Sequence, residues 1–281
     1  MTTTTRAFLL ALLAGAAPTL ADDVVMPLDY AAAAGTHTFL GPLSSSERTY
    51  QLLIHADQLT GLVGGEITGL AFRSTSGATS AWPTAETTYA AFDIYLSPSV
   101  EPANRSFTFG ENVAGTQVQV RSGPLVIPVG TYTSGGSPNE FGPTIEFTQG
   151  YTYTGGHLLV ELRHPVSDGN SRSVDAIGAA IPGYGTQFSA CWAGGYTATT
   201  GGLQGNFAVT RFTFTGGTGA CYPNCDGSTT APILNVADFT CFLQEFAAGN
   251  PYANCDESTT APVLNVADFT CFLQDFAAGC P

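Results

Sequence analysis

The strongest constraint on this chain is a phrase that it writes twice. "NCDGSTTAPILNVADFTCFLQEFAAG" returns thirty residues later as "NCDESTTAPVLNVADFTCFLQDFAAG". From Cys225 to Gly249 and from Cys255 to Gly279 the copies differ only at Gly227/Glu257, Ile233/Val263 and Glu245/Asp275. One such unit cannot bury its own apolar face, so the duplication implies two copies of one supersecondary unit packed together. In the first copy Phe239, Phe242, Leu243 and Phe246 stand three and four residues apart, which predicts an amphipathic helix with these residues as its core stripe. Asp238 stands at the start, where a carboxylate caps free backbone amides. Gly249 follows as a left-handed C-terminal cap.

The cysteines crowd the same stretch. Cys191 alone precedes it; Cys221, Cys225, Cys241, Cys255, Cys271 and Cys280 lie within it. In an exported chain such a set reads as a disulfide framework. Repeat symmetry favours Cys225–Cys241 and Cys255–Cys271. Cys221 and Cys280 have no counterparts in the other copy, so a Cys221–Cys280 bond would clasp the pair. Metal ligation by these thiols is the alternative, although no Cys-x-x-Cys spacing occurs. Cys191, without a partner nearby, is expected to be buried and free.

Export is expected from residues 1–21. Arg6 precedes the apolar "AFLLALLAGAA", and "TLA" then leads into acidic "DD", the pattern of a secretory signal peptide too short to span a bilayer. No later stretch is long and apolar enough for a membrane span, so the mature chain is expected to be secreted, extracellular or on the cell surface. There are 22 acids against 8 basic residues, all arginine, for a net charge of −14. That balance repels nucleic acid and anionic lipid. It suits cation binding, or simple solubility in salt.

Residues 22–215 read differently. "TYQLLIHA", "EITGLAFRS", "YAAFDIYLS", "GTQVQVRS", "GPLVIPVG", "TIEFTQ", "GHLLVELRH" and "FAVTRFTFT" alternate apolar with polar residues between Gly, Pro and Asn, the signature of half-buried strands. Helical periodicity is confined to a weak "HADQLTGL". The expected fold class is mainly β, a jelly-roll-like sandwich, joined by a linker over 216–220 to a small helical tandem repeat over 221–281. No nucleophile-elbow, paired-histidine zinc or phosphate-loop motif appears. His157 and Glu161 would share one face of a strand, where a surface pair is the plain reading; His37 and His55 stand alone. An unrecognised acid pair would make a polysaccharide hydrolase. Trp82, Tyr89, Trp192 and Tyr196 lie in loop-like text and could stack on a glycan, or anchor the core.

Before each repeat helix comes a run of oxygen-bearing side chains: Asn224, Asp226, Ser228, Thr229, Asn235 and Asp238. Hard cations are held by several oxygens on a turning loop that leads into a helix. Here the chain resembles the type I dockerin, a tandem pair of EF-hand-like calcium loops and helices found on secreted proteins, in the cysteine-containing variety seen on exported planctomycete proteins. The resemblance rests on Asn224-Cys-Asp226-Gly227, Asn235-x-x-Asp238 and the following Phe-x-x-Phe-Leu. It implies calcium held by Asn224, Asp226, Asn235 and Asp238, and by Asn254, Asp256, Asn265 and Asp268. It also implies a cohesin-like or cell-surface partner docked at Val236, Ala237, Val266 and Ala267, and thus attachment without enzymatic activity. Three departures stand out. Tyr222 and Tyr252 replace the first aspartate ligand, the stretch from Asp226 to Asn235 is long and contains Pro232, and Glu257 replaces a turn glycine. The alternative for the same residues is that cysteines staple the loops while Asp and Asn cap and turn.

Overall fold

The computed structural model describes residues 21–216, 222–226, 228, 232–256, 258 and 260–279. The expected leader over 1–21 and linker over 216–220 lie outside these apart from residues 21 and 216, and the Cys221–Cys280 bond lies outside them too.

Fifteen strands lead into two helices among the described residues: β1 (Asp22–Met26), β2 (His37–Phe39), β3 (Arg48–Ile54), β4 (Glu66–Phe72), β5 (Thr87–Tyr89), β6 (Asp93–Pro98), β7 (Val118–Arg121), β8 (Leu125–Ile127), β9 (Ile145–Thr152), β10 (Leu158–His164), β11 (Val174–Ile177), β12 (Phe188–Ala193), β13 (Leu203–Gln204), β14 (Phe207–Ala208), β15 (Thr210–Thr215), α1 (Val236–Ala248) and α2 (Val266–Ala278). The protein is therefore mainly β, with two C-terminal helices. β1-β15-β4-β9 form one sheet and β13-β12-β3-β10-β6-β7 another, with smaller β14-β11-β2 and β5-β8 sheets. Neighbours run antiparallel, as in β10 against β3 and β6. Each of the eight alternating stretches contains a strand.

Alternation along the strands decides what the sheets bury. On β10, Leu158, Val160 and Leu162 enter one apolar cluster with Tyr50, Leu52 and Ile54 of β3 and with Ile94 and Leu96 of β6. Ile67, Leu70 and Phe72 of β4 and Phe212 and Phe214 of β15 join that cluster from the four-stranded sheet. The two larger sheets thus share one core. Glu161 and Arg163, at the intervening positions of β10, belong to the opposite face of the six-stranded sheet.

The chain before β2 is tied down by a buried ion pair. Arg73 and Asp175, each with a side chain 1% exposed, meet at 2.8 Å. Arg73 also donates to the carbonyls of Tyr30 and Ala31, and Gly35 donates its amide to Asp175. Nearly every donor in the pair is used, the condition under which a buried charge is tolerated. Gly35 is required here, since a Cβ would lie 2.3 Å from the Ala176 carbonyl oxygen.

The weak helical pattern at 55–62 resolves into two 3-10 turns, Ala56–Gln58 and Thr60–Leu62. Leu59 between them has φ −114° and ψ 9°, outside the helical region, so the turns do not merge. Trp82 and Tyr89 are core anchors at 6% and 0% exposure, and Trp192 packs partly buried against the same core. Of the four aromatics considered for stacking, Tyr196 alone belongs to an outer-face cluster of the six-stranded sheet.

Candidate docking and cation site

The two repeats build one small core of their own. Phe242 and Phe272 are fully buried and stacked, with ring centroids 4.1 Å apart and planes at 16°. Phe239, Phe246, Phe269 and Phe276 close around them. The helix stripe is therefore phenylalanine alone. Leu243, expected in it, is 43% exposed and points outward with its counterpart Leu273 at 42%.

The position where the resemblance calls for an aspartate serves the packing of one copy on the other. The Tyr222 hydroxyl donates to the Tyr252 carbonyl at 2.9 Å, and the Tyr252 hydroxyl donates to the Tyr222 carbonyl. Their rings lie 4.9 Å apart. A pair of reciprocal bonds gives the module its pseudo-twofold relation.

Each helix starts with a full capping box. Asn235, and not Asp238, is the N-cap of α1: its Oδ1 accepts from the Ala237 amide at 2.8 Å. Asp238 lies one turn in and reaches back, accepting from the Asn235 amide at 2.8 Å. Its other oxygen accepts from the Asp226 amide at 3.2 Å, so one fully buried carboxylate ties the loop entry to the helix start. Asn265, Asp268 and Asp256 repeat this arrangement in α2. Burial alone would raise the Asp268 carboxyl, but the amides of Asn265 and Asp256 and a hydrogen bond with the Asp256 side chain together hold it below the usual carboxylate range. The helix ends at Gly249 in the left-handed region, φ 72° and ψ 24°.

Disulfides Cys225–Cys241 and Cys255–Cys271 join each loop to its helix, and Cys191 is free and buried. Among the described residues the one group of three close Cys, His, Asp or Glu ligand atoms is Cys255, Cys271 and Asp275. Its two sulfurs are bonded to each other, so it offers a cation only one carboxylate.

The loops themselves fit a hard cation better. Asn224 Nδ2 donates to the Ser228 carbonyl at 3.1 Å, and Asn254 Nδ2 does the same to Ser258. This fixes the amide orientation and leaves both Oδ1 atoms buried with no donor. A buried amide oxygen without a partner is costly, and such oxygens are what calcium takes. Asp226 is exposed beside it, with Oδ1 accepting from the Ser228 amide at 2.9 Å. Asn224 and Asp226 thus fit the group, whereas Asn235 is occupied by the cap and both oxygens of buried Asp238 already accept amides.

The expected partner residues lie on the surface. Val236 and Val266 are each 78% exposed, and Ala237 and Ala267 are exposed beside them. Thr240 and Leu243 continue the α1 stripe at helical spacing, and Thr270 and Leu273 continue that of α2. Sequence reasoning missed the leucines because an apolar residue between phenylalanines looks like core.

Compared with family models, with curated proteins and with solved structures, the chain has no match. No helix among the described residues is long and apolar enough to cross a membrane.

Proposed function

We propose that this is an exported, non-enzymatic attachment protein whose jelly-roll-like sandwich is displayed at the cell surface by a dockerin-like, calcium-binding tandem repeat. The observation that carries the reading is the pair of exposed apolar stripes, Val236 to Leu243 and Val266 to Leu273, on two near-identical helices. Exposed apolar patches on a small disulfide-bonded module mark interaction sites. The pseudo-twofold relation lets a cohesin-like partner seat on either stripe.

Asn224 and Asp226 would hold calcium in the first loop, and Asn254 and Asp256 in the second. Calcium supplies positive charge that offsets clustered carboxylates and fixes the loop. The chain's own residues do the rest. Asp238 and Asp268 set the helix starts, the disulfides hold each loop on its helix, and the Phe242–Phe272 stack fixes the spacing of the stripes.

The test is binding of the full chain to immobilised cohesin-type modules and to washed cell envelopes, with V236D, V266D and the double variant. Either single change should leave binding nearly intact because the other stripe serves, while the double variant should lose it. Undiminished binding by the double variant, or none by the native chain, overturns the reading.

A further inference from the structure

Beyond the tail, the outer face of the six-stranded sheet carries a cluster of polar and aromatic groups with unused binding capacity. Strand register places it: Glu161 of β10 lies opposite Gln51 of β3 and Tyr95 of β6, and Arg163 lies opposite Asp93. Glu161 is buried and accepts from Gln51 Nε2 at 2.6 Å and from Arg163 Nε at 2.7 Å. The Arg163 guanidinium lies over the Tyr95 ring, 5.6 Å from its centroid. Tyr196 donates its hydroxyl to Asp93 Oδ2.

What sets this cluster apart is the free end of Arg163. Every other described arginine has at least one terminal nitrogen bonded to a carbonyl or hydroxyl of the protein. Arg163 is bonded through Nε alone, and its side chain is 25% exposed. In a chain of net charge −14, a partly exposed guanidinium anchored at Nε, with both terminal nitrogens unbonded, is a donor fork without a partner. Asp93 beside it, 7% exposed, takes the Tyr196 hydroxyl on Oδ2 and keeps Oδ1 as an acceptor, and Tyr95 and Tyr196 are half-buried rings at its margins.

We infer that this shelf binds a neutral glycan through a pair of adjacent hydroxyls. A sugar hydroxyl both donates and accepts, so it can take a hydrogen bond from Arg163 and give one to Asp93 at once. The apolar face of a pyranose packs on tyrosine rings, which bring contact area at low entropic cost. Asp93 and the overall charge disfavour an anionic ligand at the same place. The inference rests on the displayed sandwich being the part that meets a target.

The test is affinity electrophoresis of the full chain in gels containing soluble neutral polysaccharides or polyuronates, followed by a glycan array. Neutral polymers should retard the chain and polyuronates should not. Tyr95→Ala and Arg163→Lys should each weaken retardation about tenfold or more, the scale of losing one charged hydrogen bond or one ring contact. Arg163→Lys disturbs the buried Glu161, so Tyr95→Ala with an unchanged melting temperature is the decisive variant. Retardation by no neutral polymer, by polyuronates alone, or with equal strength in Tyr95→Ala overturns the inference. Glycan binding needs no tail partner, so its failure leaves the docking proposal standing, and failed docking leaves the shelf untouched.

Discussion

Tyr222 and Tyr252 hold one another, each hydroxyl bonded to the main-chain carbonyl of the other across the two repeats. Burial, with Asp238 and Glu245 nearby, pushes the Tyr252 hydroxyl up to about 12 from an ordinary value of 10.0. Burial with Asp268 and Asp275 nearby raises Tyr222 as well. The folded state therefore keeps protons that the unfolded chain would release above pH 10. Stability from this pair is complete below pH 10 and is lost as pH rises through 12. Tyrosinate absorbance and helix dichroism should change together in that window. Tyr222→Phe and Tyr252→Phe should each cost about 1 kcal/mol at neutral pH.

Calcium should raise the melting temperature of the helical repeat over that in chelator, by about 2.7 kcal/mol of stability when the ion exceeds its dissociation constant roughly a hundredfold. Asp226→Asn should remove most of the shift, and Glu245→Gln, on the helix, should not. Asp238→Asn is a poorer probe, since it also breaks the bonds to Asp226 and Asn235 and lowers stability without calcium. Equal melting in calcium and chelator would leave these loops as stapled turns.

Reduction should unfold the repeat and spare the sheets. Cys225–Cys241 and Cys255–Cys271 each close a 16-residue separation. Each bond is worth about 3 kcal/mol by restricting the unfolded chain. Dichroism at helical wavelengths should fall with reductant while the β signal persists. Burial pushes the Cys191 thiol up to about 12, so mapping after alkylation at pH 8 should find Cys191 unmodified in the native protein and modified after denaturation.

The β region should weaken in mild acid. The His55 and His157 rings pack with centroids 4.4 Å apart and planes tilted by 45°, and their Nδ1 atoms accept from the amides of Asp57 and Ala56 respectively. Burial and the neighbouring His55 lower His157 below its ordinary 6.5; Glu101 and Asp57 oppose this. The folded state thus prefers the neutral ring, so its contribution is present above pH 6.5 and is lost as pH falls below. A His157→Asn variant should flatten the dependence of melting temperature on pH between about 5 and 7.

What could be read from the sequence followed its periodicities. Strands with one apolar and one polar face announced themselves, as in "GHLLVELRH". β12 did not: Phe188, Ala190 and Trp192 face the core, but Ser189 and Cys191 are themselves buried under the segment containing Ser106 and Asn112, so alternation in polarity fades. His55 read as isolated because only the register Ile54↔Leu158 brings it beside His157. In the repeat, spacing located the helices and symmetry the disulfides. It could not tell Leu243 from its phenylalanine neighbours, since both sit at helical intervals and only the partner helix decides which face is covered. Nor could it separate Asn235 from Asp238 as the cap, because either oxygen chemistry suits that position. Tyr222 looked like a lost ligand; its role is visible only across the pseudo-twofold relation.

The buried carboxylate of Asp238 makes the loop entry at Asp226 and the helix start at Asn235 one rigid joint. The chain between those two residues therefore runs between fixed ends. A stretch of this length is carried twice with both stripes held in place. The joint makes the module a frame that sets the same two loop ends twice, on matching sides of one axis.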